Sequence, residues 1–206
     1  MRNKIVIATK NLHKFSLITE TLVALGLGEY AFLNMYDIAY SGEIEETGTI
    51  EERAKQKARA ALEYLSGEQK QSIRAIIGID DGIAIKGIVT ANARELTEGI
   101  VKGIALEPGE KVTDVRAHYG IILPEEEAIS CQTFIPCIYR GSNGDVPHEE
   151  NAYSLMQVFS YEGSEKTIAD SSPEEILKNN LHYCGQELEV VVKRIRMVSG
   201  VTMHKD

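Results

Sequence analysis

The chain has 206 residues, and its 43% hydrophobic and 26% charged content excludes a disordered or fibrous protein. Its 22 basic residues face 31 acidic ones, and this net charge of −9 argues against nucleic-acid binding, which needs a basic surface. The apolar runs are much shorter than the roughly 20 residues of a membrane span, and the three cysteines form no CxxC pair, which favours the reducing cytoplasm. We therefore expect one cytoplasmic domain, residues 1–206, with no membrane or nucleic-acid partner.

The first quarter of the chain predicts a strand followed by two helices. KIVIAT is typical of an opening strand that ends near Thr9, and the apolar residues after it recur at helical spacing until Gly26. Thr49 and Glu52 form a Thr-x-x-Glu capping box, which predicts the start of a second helix. We expect this helix to stop at Gly67.

The middle of the chain is mostly strand-like. The run AIIGI predicts an interior strand that ends abruptly at residues 80–82, after which a strand-like pattern resumes. Residues 92–102 predict a short helix. Two further strands, over 115–123 and 128–140, flank a turn with proline and three glutamates, which is typical of a long hairpin.

The last third of the chain predicts one more strand and a helix. YSLMQVFSY, residues 153–161, follows a polar loop and has a strand-like pattern. Pro173 opens a helical segment with acidic residues in its first turn, and Gly185 is expected to interrupt it. Segments that alternate between strand-like and helix-like patterns in this way indicate an α/β or α+β architecture.

The turn after the first strand is a candidate anion site. It contains Thr9, Lys10, Asn11, His13 and Lys14, and the backbone N–H groups of a helix start together with lysines favour a triphosphate chain. The alternative is an ordinary solvated loop in which Asn11 caps the helix.

The segment Glu45-Glu46-Thr47-Gly48, just before the capped helix, is a candidate metal site. Its carboxylates either complement the helix dipole or take part in binding Mg²⁺, which prefers carboxylates, water and phosphates. Lys57 lies at the flank of the same helix, where it either reaches this cleft or extends to solvent.

Asp80, Asp81 and Gly82 are the third candidate. Two adjacent carboxylates after a buried strand are costly unless a cation or a hydrogen-bond donor compensates them. Ligands collect at the carboxyl ends of strands in α/β sheets. The alternative is an Asp-Gly hairpin turn, but the doubled acid favours a functional site.

Together the three segments resemble the inosine/xanthosine triphosphate pyrophosphatases. KIVIATKNLHK matches the family motif A-T-x-N-x-x-K, and EETGTIEERAKQKA matches E-E-T-G followed by T-F-x-E-N-A-x-x-K-A with one residue fewer. DDGI matches D-D-S-G-L without the serine. The C-terminal half departs from the family, because YSLMQ replaces F-G-Y-D-P and His182, Tyr183 and Cys184 replace S-H-R, while Lys178 matches the family lysine.

The resemblance implies an elongated mixed β-sheet flanked by helices, with two lobes around a central nucleotide-binding cleft, in a homodimer. It implies Mg²⁺ held by Glu46, Asp80 and Asp81, and a catalytic Asp81 that deprotonates the water attacking the α-phosphorus. The residues that would bind the triphosphate substrate are Thr9, Lys10, Asn11, Lys14, Lys57, Gly82 and Lys178. The replaced base-reading residues leave two alternatives open, a relative with altered base preference and a non-catalytic nucleotide-binding module.

Overall fold

The computed structural model describes residues 2–90, 106–141 and 154–198. The strands in these ranges are β1 (Lys4–Ala8), β2 (Ala31–Leu33), β3 (Ile73–Ile85), β4 (Ile88–Thr90), β5 (Lys111–Ile122), β6 (Glu127–Tyr139) and β7 (Phe159–Tyr161). The helices are α1 (Leu12–Leu22), α2 (Ile50–Tyr64), α3 (Gly67–Ser72) and α4 (Pro173–Val198). None of these helices is long and apolar enough to cross a membrane.

The strands form one mixed sheet in the order β2–β1–β3–β5–β6–β7, and β4 pairs with the far end of β3. β1 runs parallel to both of its neighbours, whereas β3, β5, β6 and β7 pair antiparallel. Helices flank this sheet, so the predicted mixed α/β class is confirmed.

The central strand β3 is longer than the sequence pattern predicts. It was expected to end at Asp80 and Asp81, but every residue from Ala75 to Ala84 is in register with β5, so both aspartates lie inside the strand. The chain turns only at Lys86 and Gly87, whose φ angles of 50° and 83° suit a tight hairpin to β4. The Asp-Gly turn alternative is therefore wrong.

The two faces of the sheet are covered by different helices. α2 packs one face through an alanine-rich stripe that includes Ala54, Ala58 and Ala61. Gly78 of β3 allows this close approach, because a Cβ there would overlap the carbonyl oxygen of Ala54 and lie 2.8 Å from the nitrogen of Ala58. α1 and α4 cover the opposite face and enclose the larger part of the apolar core with it, including Ile77 of β3.

The helix boundaries follow the capping residues. Asn11 caps α1, and this helix passes into a π-helical turn at Val23–Leu27. Within this turn Gly26, the predicted end of the helix, has a non-helical φ of 96°. The capping box that opens α2 is also confirmed. Gly67, in contrast, does not end α2 but opens α3, because Ser66 and Gln69 form a second capping box there.

The C-terminal half agrees with the predicted hairpin, which β5 and β6 form. Gly185 does not interrupt α4, since it lies buried within a continuous helix. The segment predicted as one strand instead contains a 3-10 turn, Ser154–Gln157, before β7. The predicted helix at 92–102 lies outside the described residues.

Candidate functional site

The candidate site is organised by the alternation of side chains along β3. Successive residues of a strand point to opposite faces of the sheet. Asp80 therefore points toward α2 and Asp81 toward α1, and each meets a lysine on its own side. Because Asp81 is in register with Arg116 of β5, that arginine lies on the α1 side as well.

On the α2 side, one ammonium group joins two carboxylates. Nζ of Lys57 lies 2.7 Å from Oδ1 of Asp80 and 3.0 Å from Oε2 of Glu46. Glu46 belongs to the loop before α2, which is held to that helix by hydrogen bonds between Thr47 and Gln56, each 3.2 Å long. Burial raises the pKa of Asp80 in spite of the opposing effect of Lys57, and its Oδ2 has no partner in the described residues.

On the α1 side, Lys14 forms an ion pair with Oδ1 of Asp81. The helix cap places this lysine, because the amide of Lys14 donates to Oδ1 of Asn11 at 3.0 Å. Burial alone would lower the pKa of Lys14, but the carboxylate of Asp81 raises it overall. The lysine is therefore held charged inside the protein.

A second buried network lies behind this ion pair. Nε and Nη2 of Arg116 lie 3.0 and 2.7 Å from Oδ2 of Asp114, and Nη1 lies 2.7 Å from Oδ1 of Asn180 on α4. Burial raises the pKa of Asp114 despite this arginine. The carboxylate in turn raises the pKa of Arg116 against the effect of burial.

These groups line a cavity of about 60 Å³ between the sheet, α1, α4 and β7. Its polar lining comprises His13, Lys14, Thr21, Asp81, Asp114, Arg116, His118, Tyr161 and Asn180. Burial, followed by the charge of Arg116, lowers the pKa of His118 to about 3, so this imidazole is neutral at physiological pH. The cavity thus combines two ion pairs, Lys14–Asp81 and Arg116–Asp114, with uncharged polar groups such as the imidazole of His118.

The three predicted metal ligands do not converge on one point. Within the part of the chain that the structure describes, no group of three or more His, Cys, Asp or Glu side chains is arranged to hold a metal ion. Glu46 and Asp80 meet at Lys57, whereas Asp81 faces the other side of the sheet. Two carboxylates, one with an unpartnered oxygen, still fit Mg²⁺, which completes its coordination with water and phosphate.

The remaining predicted substrate residues are divided. Thr9 is buried and its hydroxyl accepts from the amide of Asn11 at 3.1 Å, while Gly82 is buried in β3. Lys10 points elsewhere, donating to the carbonyl oxygen of Gly42 at 3.2 Å. Lys178 is exposed on α4 and does not line the cavity.

The sequence reasoning missed the β5 residues that line the cavity. Asp114, Arg116 and His118 occupy every second position of a strand that is otherwise largely apolar. That alternation places three polar side chains on one buried face, and it is the signal that would have identified them. Asn180 gives no such signal, since only the packing of α4 brings it to Arg116.

The chain matches no protein-family model. A curated protein from Mycobacteroides abscessus, named dITP/XTP pyrophosphatase, is 22% identical over 208 residues. The alignment covers 94% of this chain and 95% of that protein. This similarity supports a distant relationship to the pyrophosphatase family whose motifs the sequence resembles.

Proposed function

We propose that the chain is a nucleoside triphosphate pyrophosphatase, which hydrolyses a nucleoside triphosphate to the monophosphate and pyrophosphate. The observation that carries this proposal is the placement of two lysine–aspartate pairs, Lys14–Asp81 and Lys57–Asp80, on adjacent residues of one strand. The name of the distant relative, a dITP/XTP pyrophosphatase, supports the same reaction. The resemblance also leads us to propose a single-domain homodimer, which light scattering would measure.

The lysines provide the phosphate-binding part of the proposed site. Both ammonium groups are largely buried, with side-chain exposures of 19% for Lys14 and 12% for Lys57, so their charges are only weakly screened by solvent. Thr9 and Asn11 hold the turn next to Lys14 in place. They would direct the backbone N–H groups of this turn toward phosphate oxygens. Lys10, Gly82 and Lys178 are weaker candidates, because Lys10 contacts Gly42, Gly82 has no side chain and Lys178 is exposed on α4.

Glu46 and Asp80 are the residues we propose to hold Mg²⁺. When bound there, the ion would neutralise charge that develops on the phosphate oxygens. Lys57 currently neutralises both carboxylates and would then be released to contact a phosphate. Asp81, on the opposite face, is better placed for another role.

We assign the general base to Asp81. Its carboxylate would accept a proton from water while the water oxygen bonds to the α-phosphorus and the bond to the bridging oxygen breaks, releasing pyrophosphate. Lys14 contacts the same carboxylate and holds it in place. This reaction requires no protein nucleophile.

The base that is preferred is a separate question from the reaction. Deaminated purine nucleotides such as ITP, dITP and XTP are our first candidates, in line with the relative's name. The replacement of the family's base-reading residues by YSLMQ and by His182, Tyr183 and Cys184 favours an altered preference as the second candidate.

The test is pyrophosphate release from a panel of nucleoside triphosphates with Mg²⁺. We expect Asp81→Asn to lower the rate about 100-fold or more, since loss of a general base has effects of this size. Asp170→Asn, an exposed aspartate beyond β7, is the matched control and should leave the rate unchanged. Wild-type activity in the Asp81 variant would overturn its role, and binding of nucleotides without turnover would indicate the non-catalytic module.

A further inference from the structure

Among the residues that line the cavity beside Asp81 are three buried polar atoms that have no partner within the described residues. They are Nδ2 of Asn180, Nδ1 of His118 and the hydroxyl of Tyr161. The three residues are only 1%, 3% and 2% exposed. Buried polar groups in folded proteins nearly always have hydrogen-bond partners, so three of them around one cavity indicate that it is built to contain water or a ligand.

The orientation of the Asn180 amide follows from its neighbour. Arg116 has only hydrogen-bond donors, so the amide must direct its oxygen toward Nη1 of Arg116, 2.7 Å away. Arg116 is itself fixed by two contacts with Asp114. The NH₂ group of Asn180, which can only donate, is therefore left without a partner among the described residues beside the cavity.

The rest of the cavity suits an uncharged ring. His118 is neutral because burial lowers its pKa to about 3, and the hydroxyl of Tyr161 is neutral because burial raises its pKa to about 12. Apolar side chains such as Ile18, Ile79 and Phe159 form much of the remaining wall. A phosphate would find no free charge here, whereas a flat ring with a polar edge would find both apolar contact and hydrogen bonds.

We propose that Asn180 is a specificity-determining residue, whose NH₂ group donates to an acceptor on the edge of the nucleotide's ring, with Asp114 and Arg116 as positioning residues. This inference rests on the proposed function, because Lys14 and Asp81 line the same cavity and would hold the phosphate chain of the same ligand. A carbonyl oxygen would satisfy Asn180, in a purine or a pyrimidine alike. An amino group in that place would leave two donors facing each other, which is costly in a buried site.

The experiment compares ring pairs that differ in this one group, ITP with ATP and UTP with CTP. For the wild-type protein we expect kcat/KM to favour the carbonyl member of at least one pair by about tenfold or more, the size of one lost buried hydrogen bond. Asn180→Leu, which keeps the volume but removes the donor, should abolish the preference. Asn180→Asp, which offers an acceptor in place of the donor, should reverse it toward the amino member.

A reversal of this kind separates recognition from a structural role, because a merely weakened fold would lower activity on both members alike. Tyr161→Phe removes only one hydroxyl and tests the cavity if the Asn180 variants do not fold. We expect it to weaken binding of inosine and uridine a few-fold, measured by calorimetry. Unchanged ratios in the Asn180 variants, or unchanged nucleoside binding in Tyr161→Phe, would overturn the inference.

Nucleoside binding also distinguishes the two proposals from each other. If no triphosphate is hydrolysed but inosine or uridine binds more tightly than adenosine or cytidine, the proposed function is wrong and the inference about Asn180 holds. If triphosphates are hydrolysed at rates that do not depend on the ring group, the function holds and this inference is wrong.

Discussion

The two faces of β3 carry the same pair of charges in different surroundings. On the α2 face, Lys57 and Asp80 are joined by Glu46, whose side chain is 37% exposed, so this cluster reaches solvent. On the α1 face, the side chain of Asp81 is 8% exposed and its pair with Lys14 borders the cavity. One ion pair thus reaches solvent, and the other lies in the wall of a cavity.

Under the proposed function, this difference would divide the binding of one nucleotide between the two faces of the sheet. An open carboxylate pair suits a hydrated cation and phosphates, which keep part of their water. A mostly apolar cavity suits a ring that loses its water. Two neighbouring aspartates reach both faces because a strand directs consecutive side chains to opposite sides of the sheet.

The largest effect on stability is expected from disturbing the contact between α2 and β3, which holds the α2 face. Gly78→Ala would push a methyl group into the backbone of α2 near Ala54 and Ala58, and backbone cannot move aside as a side chain can. We expect a loss of about 3 kcal/mol in the free energy of unfolding, measured with urea. It should also displace Lys57 and the α2-face cluster.

The control for this variant is Gly120→Ala on β5. A Cβ there would meet Val191 at 3.5 Å, which is ordinary contact. We expect a change of less than about 1 kcal/mol. Equal losses in the two variants would show that close approach of α2 at Gly78 is not what holds this face together.

The sequence predicted the α2 face better than the α1 face, and the reason is physical. Glu46, Lys57 and the capping box lie close together in the chain, so local rules of helix starts and helical spacing bring them together. Asp114 and Asn180 are far apart in sequence, and only sheet register and helix packing unite them through Arg116. Long-range contacts of this kind leave no local signal.

The errors about elements have equally specific causes. The pattern predicts a strand end at Asp80 and Asp81, since adjacent buried carboxylates are costly, yet two lysines compensate them and the strand continues. Gly67 was taken as a stop, whereas Ser66 gives it a helix start. In both cases a neighbouring residue, a lysine or Ser66, outweighed the intrinsic structural preference of the aspartates or of the glycine.

His118 tests whether the cavity on the α1 face excludes water. Its folded-state pKa of about 3 lies below the value of 6.5 expected when unfolded, so the unfolded chain binds more protons as the pH falls from 6.5 toward 3. Stability is therefore complete above pH 6.5 and is lost on acidification. We expect this residue to account for a loss of about 2 kcal/mol between pH 7 and pH 5.

The measurement compares the wild type with His118→Gln by urea unfolding at several pH values. The wild type should lose stability more steeply than the variant below pH 6.5. The raised pKa values of Asp80 and Asp114 change stability in the opposite sense, but they act in both proteins and cancel in the comparison. Parallel curves would mean that water reaches His118 and that the cavity is open.

The smallest effect on stability is expected from the capping box at the start of α2, which lies on the α2 face. The hydroxyl of Thr49 accepts from the amide of Glu52 at 3.3 Å, and the amide of Thr49 donates to Oε2 of Glu52 at 2.7 Å. Thr49→Ala removes this cap and should cost about 1 kcal/mol of stability. Ser66→Ala removes the same box from α3, which has no buried residues, so its effect should be smaller. Equal losses in the two variants would contradict this account. They would show that the packing of α2 against β3 does not increase the effect of removing its cap, and that the hydrogen bonds of Gln56 are what hold the loop that carries Glu46.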